Sequence, residues 1–206
     1  MKKSFLPAAH WSFLTPFYET LARPFAYPIW RRVTEEVQHR APVGGRLADL
    51  GCGPGTLLRS IAAKRPDLHL NGIDADPQII EIAKEKIYNS SVKYFVASID
   101  ALPMGEACVD MVTSTLMFHH LDTETQRAAF REVRRILKPK GIFLLCDFSV
   151  PRRRWLAPIA ATILRVEASA PLQVRGQLFS LTREVGATIQ TVWSIYGCIS
   201  LHIITF

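Results

Sequence analysis

The segment Asp49-Leu50-Gly51-Cys52-Gly53-Pro54-Gly55 sets a carboxylate just before three glycines at alternate positions. Glycine adopts positive φ without steric cost and lets a ligand touch the main chain, so the segment reads as a tight turn built for contact. A second acid, Asp74, stands twenty-three residues past Gly51. A carboxylate there can accept hydrogen bonds from two neighbouring hydroxyls, as on a ribose. Ile99-Asp100-Ala101 joins an apolar surface, a polar acceptor and a small side chain, which suits the face and edge of an adenine. Ser114 and Thr115 lead on to Phe118, His119 and His120. Imidazole titrates near neutrality, so the two histidines are the candidates for taking a proton from a reacting group. The competing role for them is packing or capping for one and plain solvation for the other.

These groups meet only if strand ends converge, and the hydrophobic pattern supplies that. From Arg46 onward, apolar runs of strand length alternate with amphipathic helical stretches, the pattern of βα units in a parallel sheet. Strands are expected near 47–50, 68–74, 92–97, 109–114 and 142–148. Helices are expected near 55–64, 76–87, 123–137 and 177–184. Asp76 and Pro77 suit the start of the second helix, with Ile80, Ala83 and Ile87 as its stripe. TETQ from Thr123 has the form of a capping box, with Phe130, Val133 and Leu137 facing inward, and Lys138-Pro139-Lys140-Gly141 ends that helix. The last run, TIQTVWSIYGCISLHIITF, reads as an antiparallel hairpin about Tyr196-Gly197.

The expected fold is α/β: a doubly wound, mostly parallel, seven-stranded Rossmann-like sheet finished by an antiparallel hairpin. A helical lead-in or cap covers residues 1–44, broken into short pieces by Pro16, Pro24, Pro28 and Pro42. The domain proper is 45–206, with a basic, then apolar, lid-like insertion at about 151–180. Ligands of such sheets sit beyond the carboxyl ends of the strands, where the candidates above fall.

Composition narrows the partners. Apolar residues make up 49% of the 206, and charged residues 21%, which is a globular balance. The net charge of +7 speaks for solubility and general attraction to anions, not for a nucleic-acid groove in particular. Cys52, Cys108, Cys146 and Cys198 form no CxxC pair, so no metal or redox motif arises and reduced, buried thiols are expected. The opening MKKSFLPAAHWSFLTPFYE imitates a signal peptide, but His10, Pro7, Pro16 and Glu19 interrupt it, and the expectation is a cytoplasmic protein. Arg127, Arg131, Arg134 and Arg135 are expected on a solvated helix face. Arg152, Arg153 and Arg154 before WLAPIAATIL fit a lid over a greasy acceptor, a peripheral membrane contact, or a core helix with a charged start.

DLGCGPG, GIDADP, ASIDALP, VDMVTSTLMFHHL and REVRRILKPKGIFLLCDF, in this order and spacing, resemble the class I S-adenosylmethionine-dependent methyltransferases. They resemble more narrowly the small-molecule branch that includes the ubiquinone and menaquinone biosynthesis enzymes. The likeness covers about 45–150 strongly and the final hairpin in pattern only. It implies S-adenosylmethionine as cofactor, with Gly51, Cys52 and Gly53 against its methionine part and Asp49 on its amino group. Asp74 would bind the ribose, Ala75 and Ile99 would flank the adenine, Asp100 beside Ala101 would take its exocyclic amine, and Thr115 would lie along the methionine and the reacting methyl. Tyr18 in FYETLA resembles a tyrosine that some members fold over the cofactor, although Glu19 stands where aspartate is usual.

A sulfonium already carries a good leaving group, so catalysis can rest on orientation and exclusion of water, with a base only where the acceptor must lose a proton. His119 and His120 are the nearest bases; Asp147 could face the substrate, and Asp110 reads as structural. No metal role is expected. A dinucleotide enzyme would need glycine where Thr56 stands, and that reading leaves the hairpin unexplained. A cofactor-binding or regulatory module without turnover is a further alternative, as is a methyltransferase acting on a macromolecule. STLMF stands where amino-methylating enzymes of bases or glutamine carry an Asn/Asp-Pro-Pro-aromatic motif, and the Pro-Cys of cytosine-carbon enzymes is missing. The aromatic lead-in (Phe13, Phe17, Tyr18, Phe25, Tyr27, Trp30) favours a small hydrophobic or amphipathic acceptor, although the same rings would serve a helical core.

Overall fold

The computed structural model describes residues 15–86, 92–149 and 177–206, with the side chains of the first helix described from Pro24 onward. The lead-in becomes one helix, α1 (Thr15–Arg40), with Pro24 and Pro28 inside it. The expectation of short pieces is therefore corrected. The two prolines are four residues apart, so the donors they lack fall on one side of the helix. Ala26, Ile29, Val33 and Val37 bury the face that packs on the sheet. Arg32 and Arg40 both pair with the buried Glu36, and Arg65 holds the far end by donating to the carbonyls of Gln38, Ala41 and Pro42.

Seven strands follow in the chain: β1 (Arg46–Leu50), β2 (His69–Asp74), β3 (Val92–Val96), β4 (Val109–Thr115), β5 (Leu137–Phe148), β6 (Thr188–Ile195) and β7 (Ile199–Thr205). They form one sheet in the order β3-β2-β1-β4-β5-β7-β6, parallel except where β7 pairs with β5 and β6. Helices α2 (Thr56–Lys64), α3 (Pro77–Lys86), α4 (Thr123–Ile136) and α5 (Gln177–Glu184) link or cover them, with a single turn of tighter helix at Phe118–His120. The doubly wound sheet with an antiparallel end is the fold expected.

Strand periodicity sorts the core into two layers. Leu47, Leu70, Met111, Leu144 and Leu201 face α1, α2 and α3. Ala48, Leu50, Ile73, Val112, Phe143 and Leu145 face α4 and α5. The strands buried on both faces accordingly read as near-continuous apolar runs.

Local signals needed three adjustments. Asp122, one residue before the expected capping box, is the cap of α4 and accepts the Thr125 N–H at 2.7 Å. That helix stops at Ile136, because Pro139 disfavours helical backbone at Lys138, and the chain passes directly into β5. Of the four arginines expected in solvent, only Arg131 and Arg134 are exposed; Arg135 donates to the carbonyls of Met104 and Leu102, and Arg127 pairs with Glu124 and Glu184.

The hairpin turns through the three residues Tyr196–Cys198 between the paired Ile195 and Ile199, with Tyr196 (φ 55°) and Gly197 (φ 79°) in the left-handed region. Ile87 and the insertion through residue 176 lie outside the described residues, while 177–180 open α5. Among the described residues no helix is long and apolar enough to cross a membrane.

Candidate active site

The strand order reverses between β1 and β4, and the carboxyl ends of β1, β2, β3 and β4 open on the same edge. The glycine turn is fastened there to the end of β2. Gly51 N–H and Cys52 N–H both donate to the Ile73 carbonyl, at 2.8 and 3.1 Å. Gly53 N–H donates to Asp74 Oδ2 at 3.0 Å, and Asp76 N–H donates to Asp74 Oδ1 at the same distance. Asp74 thus ties the loop after β1 to the loop after β2 while keeping lone pairs for a ligand.

Gly51, Gly53 and Gly55 have φ of 67°, 52° and 77°. Their reasons differ. A Cβ on Gly51 would stand 2.4 Å from Met117 Cγ, so that position is reserved by packing. A Cβ on Gly53 would meet nothing within 4 Å among the described residues, so that position faces open space. Gly55 is the N-cap of α2 and has no side chain of its own to cap the helix, whose positive dipole end suits an anionic ligand group.

Asp49 is only 2% exposed and accepts a 2.7 Å hydrogen bond from Thr113 Oγ1. The register explains the pair: Asp49 lies between Gly72 and Thr113 in one row, and Tyr94 follows Gly72. Gly72 has no side chain because the Tyr94 ring crosses it; a Cβ would stand 2.7 Å from that ring. Burial pushes the Asp49 carboxyl up to about 7, with the Thr113 bond opposing and the nearby Asp74 charge adding. Burial also raises Asp74, against the N–H groups of Asp76 and Gly53. Two acids held at a cost beside one turn are suited to a ligand that brings positive charge and hydroxyls.

The other sequence candidates fall around this turn unevenly. Cys52 is buried in the turn, and burial raises its thiol. Ala75 is exposed after β2, and Ile99 is buried after β3. Asp100 is exposed and accepts from Ser98 Oγ, and exposed Ala101 donates its N–H to the Ser98 carbonyl at 3.2 Å. Thr115 ends β4 with a buried Oγ1 that has no hydrogen-bond partner among the described residues. Tyr18 lies within α1, where only its backbone is described. Asp110 is far from the site, at the start of β4, holding Lys138 and the Arg46 N–H.

His119 is buried, with Nδ1 2.7 Å from Asp147 Oδ1. His120 lies against it at 4.0 Å between ring centres, tilted by 41°, and is half-buried. Asp147 therefore does not extend toward a substrate by itself; it meets His119. Thr113, Met117 and the Asp147–His119 pair carry site geometry that sequence reasoning missed or misassigned. Thr113 shares a strand face with Met111, but only the register reveals that it sits opposite Asp49.

These residues fit an adenosyl sulfonium with an amino acid tail. The open side of Gly53 suits the tail, the positive end of α2 suits its carboxylate, Asp49 suits its ammonium group, Asp74 suits a diol, and the buried Thr115 hydroxyl, unpartnered among the described residues, suits a polar contact. Among the described residues no group of three His, Cys, Asp or Glu side chains could hold a metal ion.

Comparison with known proteins agrees with this geometry. Residues 47–141 match the model of a methyltransferase domain family. A ubiquinone/menaquinone biosynthesis C-methyltransferase of Geotalea uraniireducens is 30% identical over 147 residues, 68% of this chain and 61% of that protein. A tRNA (carboxymethyluridine(34)-5-O)-methyltransferase of Macaca fascicularis is 29% identical across 62% of this chain but only 18% of its own length. The chain thus spans about 61% of the quinone relative. The crystal structure of a putative S-adenosylmethionine-dependent methyltransferase from Methanococcus maripaludis shares the fold, with a TM-score of 0.73 at 18% identity over 98% of this chain and 96% of that one. Strand order, glycine turn, paired acids and these matches converge: residues 47–141 are a methyltransferase domain, and the chain resembles the class I S-adenosylmethionine-dependent methyltransferases, the quinone C-methyltransferases among them.

Proposed function

We propose that this protein transfers the methyl group of S-adenosylmethionine to a small, hydrophobic or amphipathic acceptor. The observation that carries the reading is the open side of Gly53, set between Asp49 and Asp74 at the point where the strand order reverses. Bound there, the sulfonium supplies an activated methyl group, and this chain's own residues hold and orient it. Gly51, Cys52 and Gly53 line the methionine part, and Asp49 takes the ammonium group. Asp74 takes the ribose hydroxyls. Ala75 and Ile99 bracket the adenine, with Asp100 and Ala101 at its edge, and Thr115 lies beside the methionine. Tyr18, carried by α1, covers the cofactor from the helical cap. His119 and His120 are the candidate proton acceptors. The quinone-methylating relative supports a small apolar acceptor, and the half-buried Phe25 and Trp30 of α1 support an apolar surface on that side. The same reading has the protein working in the cytoplasm.

The test is calorimetry followed by turnover. S-adenosylmethionine should bind one per chain, and a nicotinamide dinucleotide should not. A short-chain demethylmenaquinol should then yield S-adenosylhomocysteine and a methylated quinol. No heat with S-adenosylmethionine would reject the site. Binding with turnover on tRNA but not on the quinol would reject the small acceptor.

A further inference from the structure

The crossover from β3 to β4 carries no helix; residues 97–108 run as a loop. A crossover between parallel strands usually lays a helix over the sheet face. Here the loop is instead strapped to the end of α4. Glu132 Oε2 accepts the Leu102 N–H at 2.8 Å, and Arg135 donates to the Met104 carbonyl at 2.7 Å and the Leu102 carbonyl at 3.2 Å. The Ala107 and Cys108 N–H groups donate to the Arg135 and Ile136 carbonyls at 2.9 and 2.8 Å. The starts of β1, β2 and β3 are left with a cavity of about 220 Å³, lined from the sheet and from the loop. It lies at the amino ends of the strands, opposite the glycine turn.

Arg46, His69 and Lys93 line this cavity together with Asn71, Met104 and Cys108. Strand alternation brings them to one face: Leu47 and Leu70 belong to the layer under α1 and α2, so Arg46, His69 and Asn71 take the other side. In the parallel register Arg46 lies opposite His69, and Asn71 lies opposite Lys93. Basic groups set across neighbouring strands repel one another when charged, and a bound anion reverses that cost. Among the described residues none of the three basic side chains makes a hydrogen bond or ion pair. Asp110, the acid beside Arg46, has both oxygens held by Lys138 Nζ at 2.8 Å. Asn71 spends its Nδ2 on the Leu47 carbonyl at 3.1 Å. Met104 and Cys108 add an apolar wall on the loop side.

We propose that this cavity is a second ligand site, which takes a small phosphomonoester between Arg46, His69 and Lys93. The guanidinium fork of Arg46 takes two phosphate oxygens, the Lys93 ammonium supplies a point charge, and the His69 ring donates an N–H. Met104 and Cys108 receive the organic part. The volume is below the roughly 300–1,000 Å³ of pockets for drug-sized ligands, so that part is no larger than about one ring. Sheets of this kind take their main ligand beyond the carboxyl ends of the strands, so the two sites do not compete. The inference does not rest on the methyl-transfer reading.

Phenyl phosphate and inorganic phosphate are the probes, titrated into the full chain by calorimetry at low ionic strength. Phenyl phosphate should bind one per chain with a Kd below about 1 mM. It should bind at least about threefold tighter than inorganic phosphate, because its ring meets the apolar wall. Arg46→Gln and Lys93→Gln should each weaken it roughly tenfold, the loss of a charge-assisted bond. Arg131→Gln, which removes an exposed cation on α4 outside the cavity, should change it less than about twofold. All three positions are exposed, and thermal melts should show the variants folded. Cys108 reports occupancy, since it alone of the four cysteines is not buried. Saturating phenyl phosphate should slow its alkylation by iodoacetamide at least about fivefold, and saturating S-adenosylmethionine should leave the rate unchanged. No heat with phenyl phosphate, equal affinity in the Arg46 and Lys93 variants, or an unprotected Cys108 would overturn the inference. Retention on phosphatidic acid vesicles without heat from phenyl phosphate would overturn it too, in favour of a lipid headgroup. No heat with S-adenosylmethionine beside a protected Cys108 would overturn the methyl-transfer reading alone.

Discussion

Asp49→Asn tests the electrostatics of the site most directly. The wild-type carboxyl is buried and shifted from 3.8 to about 7. Its folded value is above its unfolded value, so the folded chain binds more protons between about pH 4 and pH 7. The stability from this proton is whole below about pH 4 and is lost as pH rises through 7. A shift of that size corresponds to about 4 kcal/mol by pH 8, of which about 2.5 kcal/mol is lost between pH 5 and pH 8. Asparagine keeps an oxygen for Thr113 and carries no charge. Its amide also leaves a donor to satisfy, but that cost does not vary with pH. Urea unfolding of both proteins at pH 5, 6.5 and 8 should therefore show the difference in stability moving toward the variant by about 2–3 kcal/mol across the range. Calorimetry should show the reverse for the ligand: weaker S-adenosylmethionine binding by the variant, and wild-type affinity falling as pH drops below 7. A stability difference that stays flat with pH would refute the burial reasoning. Unchanged ligand affinity in the variant would refute the placement of the ammonium group on Asp49.

Three further outcomes follow from the geometry. Gly51→Ala should lower the melting temperature more than Gly53→Ala, because both pay roughly 1–2 kcal/mol for positive φ but only the first drives a Cβ into Met117; Gly53→Ala should instead lose ligand affinity out of proportion to its stability, and normal binding by it would contradict the open side assigned to that residue. Asp74→Ala removes the acceptor of two main-chain N–H groups as well as the proposed ribose contact, so thermal melts and calorimetry should both fall, by roughly 1.5–3 kcal/mol per lost charge-assisted bond. Asp122→Ala should cost about 1 kcal/mol in thermal unfolding through loss of the α4 cap and leave S-adenosylmethionine binding unchanged.

The alternation of apolar runs made the sheet legible from residues alone, since each buried strand and each amphipathic helix carries its own period. The glycine turn was legible for a related reason: its backbone conformation is local to one loop, whereas its tie to Asp74 at the end of β2 is not. What stayed hidden depends on register or on distant partners. Thr113 matters because it lands opposite Asp49 across a strand pair sixty-four residues apart in sequence. Asp147 looked like a group for the substrate because nothing local reveals His119 lying against it. Pro24 and Pro28 argued for a broken lead-in, yet packing of Ile29, Val33 and Val37 on the sheet outweighs the hydrogen bonds that the two rings forfeit.

The tip of the last hairpin has a bearing on the order of folding. The Tyr196 ring stacks on Phe25 at 4.4 Å, and its hydroxyl donates to the Phe25 carbonyl across a separation of 171 residues. Closing so long a span is entropically slow to be rewarded. The amino-terminal half of α1, which carries Tyr18, therefore gains this anchor only after β6 and β7 have joined the sheet. During synthesis this stretch of α1 must wait for strands that emerge well over a hundred residues after it.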